Sequence, residues 1–347
     1  MARGAGFFSV GFAAGAGGRG RCGGSGGRVP RCAAGRFWLR LRGAGLYNRP
    51  YMGKFRFAIL GLLCALPTFG GESKIIAPGE TLQKLAGGFE FTEGPACDGQ
   101  GNVFFTDQPN DRILKWSVEG KLTTFMQPCG RANGLSFDAA GNLWACADEK
   151  NQMWRIDPGG KVTVVVKDYQ GKLLNGPNDV WVRPGGGVYF TDPYYKRPYW
   201  KRGPKEMDEC VYFLAADNEK LTRVVDDLRQ PNGIIGTPDG KLLYVADIGA
   251  GKTYRYRIEA EGLLADKKLF CEMGSDGMTI DDQGNIYLTG RGVTVFDAAG
   301  KKVEHIAVEE PWTANVCFGG KDRQTLFITA SKNLYGLRMQ VKGVDSQ

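Results

Sequence analysis

The chain of 347 residues reads as an all-β protein, a six-bladed β-propeller with four-stranded blades. Three observations point there. A turn-plus-strand phrase recurs along the chain, no helical period is sustained, and a polar residue returns at a fixed offset before each turn. The phrase appears as DGQGNVFFTD, DAAGNLWACAD, RPGGGVYFTD, TPDGKLLYVAD and DDQGNIYLTG, then more loosely as GKDRQTLFITAS. Most copies continue into another strand-like run (RILKWS, QMWRID, TYRYRI, VTVFD), a turn, and a further β-rich run such as KLTTF or KVTVVV. Repeats of roughly forty to fifty residues, each of about four short strands, describe propeller blades. The sixth copy ends without a fourth strand. ETLQKLAGG (80–88), ahead of the first copy, is expected to supply it and leave no free edge.

The register of the copies can be tested. Eight residues before the turn glycines Gly101, Gly141, Gly186, Gly240 and Gly284 stand Glu93, Asn133, Asn178, Asn232 and Asp276. In the sixth copy Arg323 holds the glycine's place, and the same step leads to Asn315. The first strand of a blade lines the central channel, so these six positions form a ring on one face. Asn and Asp also suit turns, but Glu is no turn specialist, and a turn preference does not bring six residues into register.

Composition first suggests a nucleic-acid partner, with a formal charge of +8. Residues 1–71, however, hold ten Arg and one Lys and no acid, leaving 34 basic against 37 acidic residues in the remainder. A nucleic-acid function thereby loses its main support. Residues 1–51 are Gly, Ala and Arg with little apolar pattern, expected to be a disordered extension or a mis-assigned start. From Met52, MGKFRFAILGLLCALPTFGGES has a basic start, a short apolar run and small residues. This is a signal-peptide pattern over 52–72, too short to span a bilayer, and it implies export to a periplasm or the exterior. The propeller domain then occupies 74–342. Its six cysteines (Cys97, Cys129, Cys146, Cys210, Cys271, Cys317) are scattered without a C-x-x-C pair and read as buried small hydrophobes, with one or two disulfides left open.

A ring of two carboxylates and amide carbonyls, without His or Cys, is a hard oxygen donor set. It suits calcium first, then magnesium or manganese, better than zinc or copper.

With the ring, the phrases FTEGP, NGPNDV, QPNG and SDGMTIDDQGNIYLT resemble the senescence-marker-protein/gluconolactonase/luciferin-regenerating-enzyme family over roughly residues 78–340. The resemblance implies hydrolysis of a small-molecule lactone. It also implies cation ligation by Glu93, Asn232 and Asp276, with Asn178 as a fourth ligand or substrate contact and Asp276 as the group handling the proton of the attacking water. Asn133 and Asn315 are expected to complete the rim as substrate contacts. Regucalcin-type members carry an Arg two positions before Asn178, where this chain has Gly176, which sets a sugar-lactone preference in doubt. A non-catalytic propeller with a structural calcium, and a phosphotriester or ester hydrolase using the same site, stand as alternatives.

Three further features carry expectations. Asp107, Asp148, Asp192 and Asp247 end the second strands and are expected to cap the turns that follow. DPYYKRPYWKRGPK (192–205), the longest interruption of a blade, is expected to lie over the channel mouth. His305, the sole histidine, reads as a surface or packing residue, which excludes a histidine dyad.

Overall fold

The computed structural model describes residues 73–201 and 203–344. The expected leader, 1–51 and 52–72, lies outside them. Apolar alternation closed by glycine turns produces antiparallel sheets of four strands, and six such sheets are present. The first blade contains Thr92–Cys97, Val103–Asp107, Arg112–Trp116 and Leu122–Met126, from axis to rim. The second to fifth blades repeat this order, beginning with Ala132–Phe137, Val180–Val182, Pro231–Gly236 and Met278–Ile280. In the sixth, Thr313–Gly319, Thr325–Ala330 and Asn333–Arg338 are completed by Gln83–Gly87, which pairs antiparallel with Asn333–Arg338. The N-terminal strand closes the ring as expected.

The repeat has a backbone cause. The five turn glycines all adopt positive φ, from 67° at Gly240 to 105° at Gly186, and Arg323 takes their place at 58°. Burial falls from axis to rim: Val103–Asp107 is buried throughout, whereas the first three residues of Leu122–Met126 are exposed. The core is divided among six apolar clusters, one between each pair of neighbouring blades. Phe104, Ile113 and Ala96 thus meet Leu135, Phe137 and Ala145 between the first and second blades. Phe105 and Val103 meet Phe327 and Leu334 where the last blade meets the first.

Five of the six described cysteines are buried, Cys97 is half-buried, and none forms a disulfide. His305 is exposed on the outermost strand Lys302–Ile306, beside Thr294 Oγ1 at 3.1 Å. Among the described residues no helix is long and apolar enough to cross a membrane.

The C-terminal segment turns back beneath the ring. Gly343 bridges to Asp281 and its N–H donates to Arg323 O at 2.9 Å, while Asp282 N–H donates to Lys342 O at 2.8 Å. Gly343 and Val344 thereby help line a pocket of about 100 Å³ with inner-strand residues, among them Asp179 and Asn315.

Candidate active site

Each ring residue sits at the start of an innermost strand, and the glycine that usually follows it explains how the strands converge. A Cβ on Gly94 would stand 2.1 Å from Asn133 O. On Gly134 it would meet Asn178 O at 2.6 Å, on Gly233 Asp276 O at 3.0 Å, and on Gly277 the Asn315 amide at 1.9 Å. The glycine after a ring residue is therefore the space into which the next blade's ring residue fits. Where Asp179 follows Asn178 and Val316 follows Asn315, that space is filled.

Glu93, Asn133, Asn178, Asn232 and Asn315 are all at most 5% exposed, and Asp276 is half-buried. Asn232 Nδ2 donates to Asp276 Oδ1 at 2.8 Å, and Trp312 Nε1 donates to Asp276 Oδ2 at 2.5 Å. Burial raises the Asp276 carboxyl above the usual carboxylate range, opposed by these two hydrogen bonds and by Arg197. Glu93 Oε2 accepts only the N–H of Gly94 at 3.0 Å among side-chain bonds. Burial pushes Glu93 well up, and the nearby Asp276 charge pushes it further. The ring thus brings Glu93, Asn232 and Asp276 into one electrostatic unit. Asn133 and Asn178 are fixed through their backbones, Asn133 O accepting from Thr106 Oγ1 at 3.1 Å and Asn178 O from Gly134 N–H at 2.7 Å. Asn315 is engaged inward: its Oδ1 accepts Val316 N–H at 2.8 Å and its side chain bonds Asp179.

Among the described residues no group of three or more His, Cys, Asp or Glu gathers as a metal cluster. The ring offers a different donor set. With Nδ2 turned to Asp276, the carbonyl Oδ1 of Asn232 is buried with no hydrogen-bond partner among the described residues. A buried, unsatisfied carbonyl beside two carboxylates that repel one another is what a hard cation would satisfy. The residues present fit one.

Sequence reasoning missed Asp179 and Trp312. Asp179 is a third buried carboxylate, raised to about 7 chiefly by burial, though Val180 and Ile234 N–H groups donate to it. Its signal was the break in the Asn-Gly pattern. Trp312 stands one residue before an inner strand, with no sequence mark beyond its aromatic character.

The segment 192–205 reaches the ring as expected. Tyr195 OH accepts from Asn232 Nδ2 at 2.8 Å, and the Arg197 guanidinium stacks 4.8 Å from the Tyr195 ring. Asp148 anchors the segment through Tyr199 OH at 2.6 Å and Arg197 at 3.3 Å, with Gln108 Nε2 at 3.1 Å on the same oxygen. This corrects the turn-capping reading of Asp148. Register supplies the reason: Thr92 pairs with Asp107 and Pro231 with Asp247, but Ala132 pairs with Ala147, leaving Asp148 one residue past the strand. The other three carboxylates each reach back to the segment before the first strand of their blade. Asp107 accepts from Glu90 and Phe91 N–H, Asp192 from Asn175 and Gly176, and Asp247 from Arg229 and Gln230. Two also bind the turn that follows, Asp107 Oδ2 accepting from Asn110 Nδ2 at 2.8 Å and Asp247 Oδ1 from Ala250 N–H at 3.1 Å. Gly176 admits no side chain, since its Cβ would stand 2.4 Å from Asp148 Oδ1 and 2.8 Å from Trp200. The cation beside the ring comes instead from Arg197.

Residues 91–332 match the model of the SMP-30/gluconolactonase/LRE-like region. The chain belongs to this family. Within the SMP-30/gluconolactonase/LRE-like family, the chain is 30% identical to a gluconolactonase of Zymomonas mobilis, over 76% of this chain and 82% of that one. It is also 30% identical to a pentonolactonase of Haloferax volcanii, over 67% and 81% respectively. A solved gluconolactonase from Xanthomonas campestris has the same architecture, with a TM-score of 0.72 and 30% identity over 76% of this chain and 91% of that chain.

Proposed function

We propose that the propeller hydrolyses a small lactone at the mouth of its channel, with a divalent cation held by Glu93, Asn232, Asp276 and Asn178. The chain is a lactone-hydrolysing enzyme, a carboxylic ester hydrolase, by its membership of a family that includes a gluconolactonase and a pentonolactonase. The observation that carries the site assignment is the Asn232 amide: its nitrogen is fixed on Asp276 while its buried carbonyl has no partner among the described residues. Calcium suits this all-oxygen donor set best, ahead of magnesium, manganese or zinc. Such a cation, when bound, polarises the lactone carbonyl.

Asp276 takes the proton from the attacking water. Its two oxygens are fixed by Asn232 and Trp312, so the remaining lone pairs point in a set direction. Burial raises its affinity for a proton in the cation-free protein, and a bound cation would draw that affinity back down. As water adds, the carbonyl electrons move onto oxygen. On collapse the ring C–O bond breaks, and the leaving alkoxide takes the proton from Asp276. Asn133 and Asn178 contact the substrate, while Asn315 holds Asp179 beneath the ring.

The test is acid release from a panel of aldono- and aliphatic lactones, with chelator and with each cation restored. Turnover abolished by chelator, restored by calcium, and lost in Asp276→Asn supports the assignment. Turnover that survives complete cation removal refutes the cation's role. Hydrolysis of phosphotriesters but no lactone would assign the site to the other electrophile.

A further inference from the structure

The Asn232 amide fixes more than Asp276. Only its NH₂ group can face the Oδ1 carboxylate oxygen at 2.8 Å, so the orientation of the amide is set. The same nitrogen stands 2.8 Å from the Tyr195 hydroxyl. An amide NH₂ has no lone pair to offer, so the phenol oxygen accepts there and its own proton turns away from Asn232. The ring of Tyr195 is held as well, backed by the Arg197 guanidinium at 4.8 Å, which is itself tied to Asp148 at 3.3 Å. Tyr195 is half-buried, so its hydroxyl is neither sealed in the core nor free in solvent. One amide therefore connects the base that receives the water's proton to a phenol with a proton left to donate.

We propose that Tyr195 is a catalytic residue whose hydroxyl donates a hydrogen bond to the lactone carbonyl oxygen as that oxygen gains negative charge. The inference rests on the lactonase reading above and deepens it. Tyr195 keeps its proton throughout; water's proton goes to Asp276, and the carbonyl electron pair moves to the oxygen that Tyr195 faces. The bond from Asn232 polarises the phenol and strengthens its donation. A fixed donor aimed at developing charge acts mainly on the transition state. An aromatic-basic loop is all that is legible locally; the phenol's place beside Asn232 depends on a fold contact 37 residues apart in the chain.

The experiment is steady-state hydrolysis by Tyr195→Phe of a lactone that the wild type turns over. Phenylalanine keeps the ring and its stack on Arg197 and removes only the hydroxyl. We expect kcat to fall by roughly ten- to a thousandfold, with KM within about threefold of wild type. A fluorinated tyrosine at 195, a stronger hydrogen-bond donor of nearly the same shape, should keep kcat within about threefold of wild type or raise it. This second variant keeps the hydroxyl, so it reads the role even where Tyr195→Phe folds poorly. A kcat for Tyr195→Phe within about twofold of wild type, a loss confined to KM, or a fluorinated enzyme as slow as Tyr195→Phe overturns the proposal. A wild type inactive on every lactone instead defeats the functional reading beneath it.

Discussion

Gly277→Ala tests how the ring is assembled. The backbone at Gly277 is pinned, its N–H donating to Thr289 Oγ1 at 2.8 Å and its carbonyl accepting from Ser275 Oγ at 2.6 Å. A methyl group there would lie 1.9 Å from the Asn315 side chain. With residue 277 unable to retreat, Asn315 must turn, and its amide then leaves Val316 N–H and Asp179. Forced overpacking costs about 1–3 kcal/mol, and stranding a buried polar group about 1–3 kcal/mol more. At about 2 °C per kcal/mol for a domain of this size, the melting temperature should fall by about 4–12 °C. Gly99→Ala is the control, since nothing lies within 4 Å of its Cβ position and its φ is not positive. That change should be neutral or slightly stabilising, because alanine restricts the unfolded chain. Thermal melts of the two variants, measured side by side without added cation, decide the matter. A Gly277→Ala melt within about 2 °C of the control would show that the ring glycines are not required for close approach.

Asp276→Asn keeps the shape and removes the base, so kcat should fall by about 10²–10⁴-fold in initial-rate assays. Calcium at about a hundred times its dissociation constant should stabilise the protein by about 2.7 kcal/mol, raising the melting temperature, while Asn232→Leu should respond far less in the same melts. Glu93 is an acid whose folded pKa is raised, so the cation-free native state holds its proton more tightly than the unfolded chain does. Stability without cation should therefore decline as pH rises above the ordinary carboxylate range and through the folded pKa. Cation binding should release protons and tighten as pH rises across the same window, which isothermal titration in buffers of different ionisation enthalpy would read. Export predicts a mature N-terminus near Gly70–Ser73 on N-terminal sequencing, and an intact Met52 on cytoplasmic material would exclude it.

The architecture was legible because its cause is local. Apolar alternation, a positive-φ turn and an eight-residue offset are properties of contiguous sequence, and Arg323 betrayed its register despite lacking the glycine. Closure by the N-terminal strand followed from a count of strands. The ring residues were legible for the same reason, each tied to its own blade's turn. What the sequence concealed depends on neighbouring blades. Trp312 reaches Asp276 across 36 residues, and Tyr199 reaches Asp148 across 51. Asp148 was misread because DAAGNLWACAD places its acid one step beyond the pairing that Asp107 keeps, a slip that only the strand register exposes. Asp179 was overlooked because it stands where other blades have glycine, a gap in the pattern rather than a repeat of it.

The tail that folds back at Gly343 and Val344 has a kinetic corollary. It lines the end of the channel remote from Asn232, so on the proposed reading ester enters and acid leaves at the mouth beside Tyr195. Product that lingers at that mouth would then compete with incoming substrate.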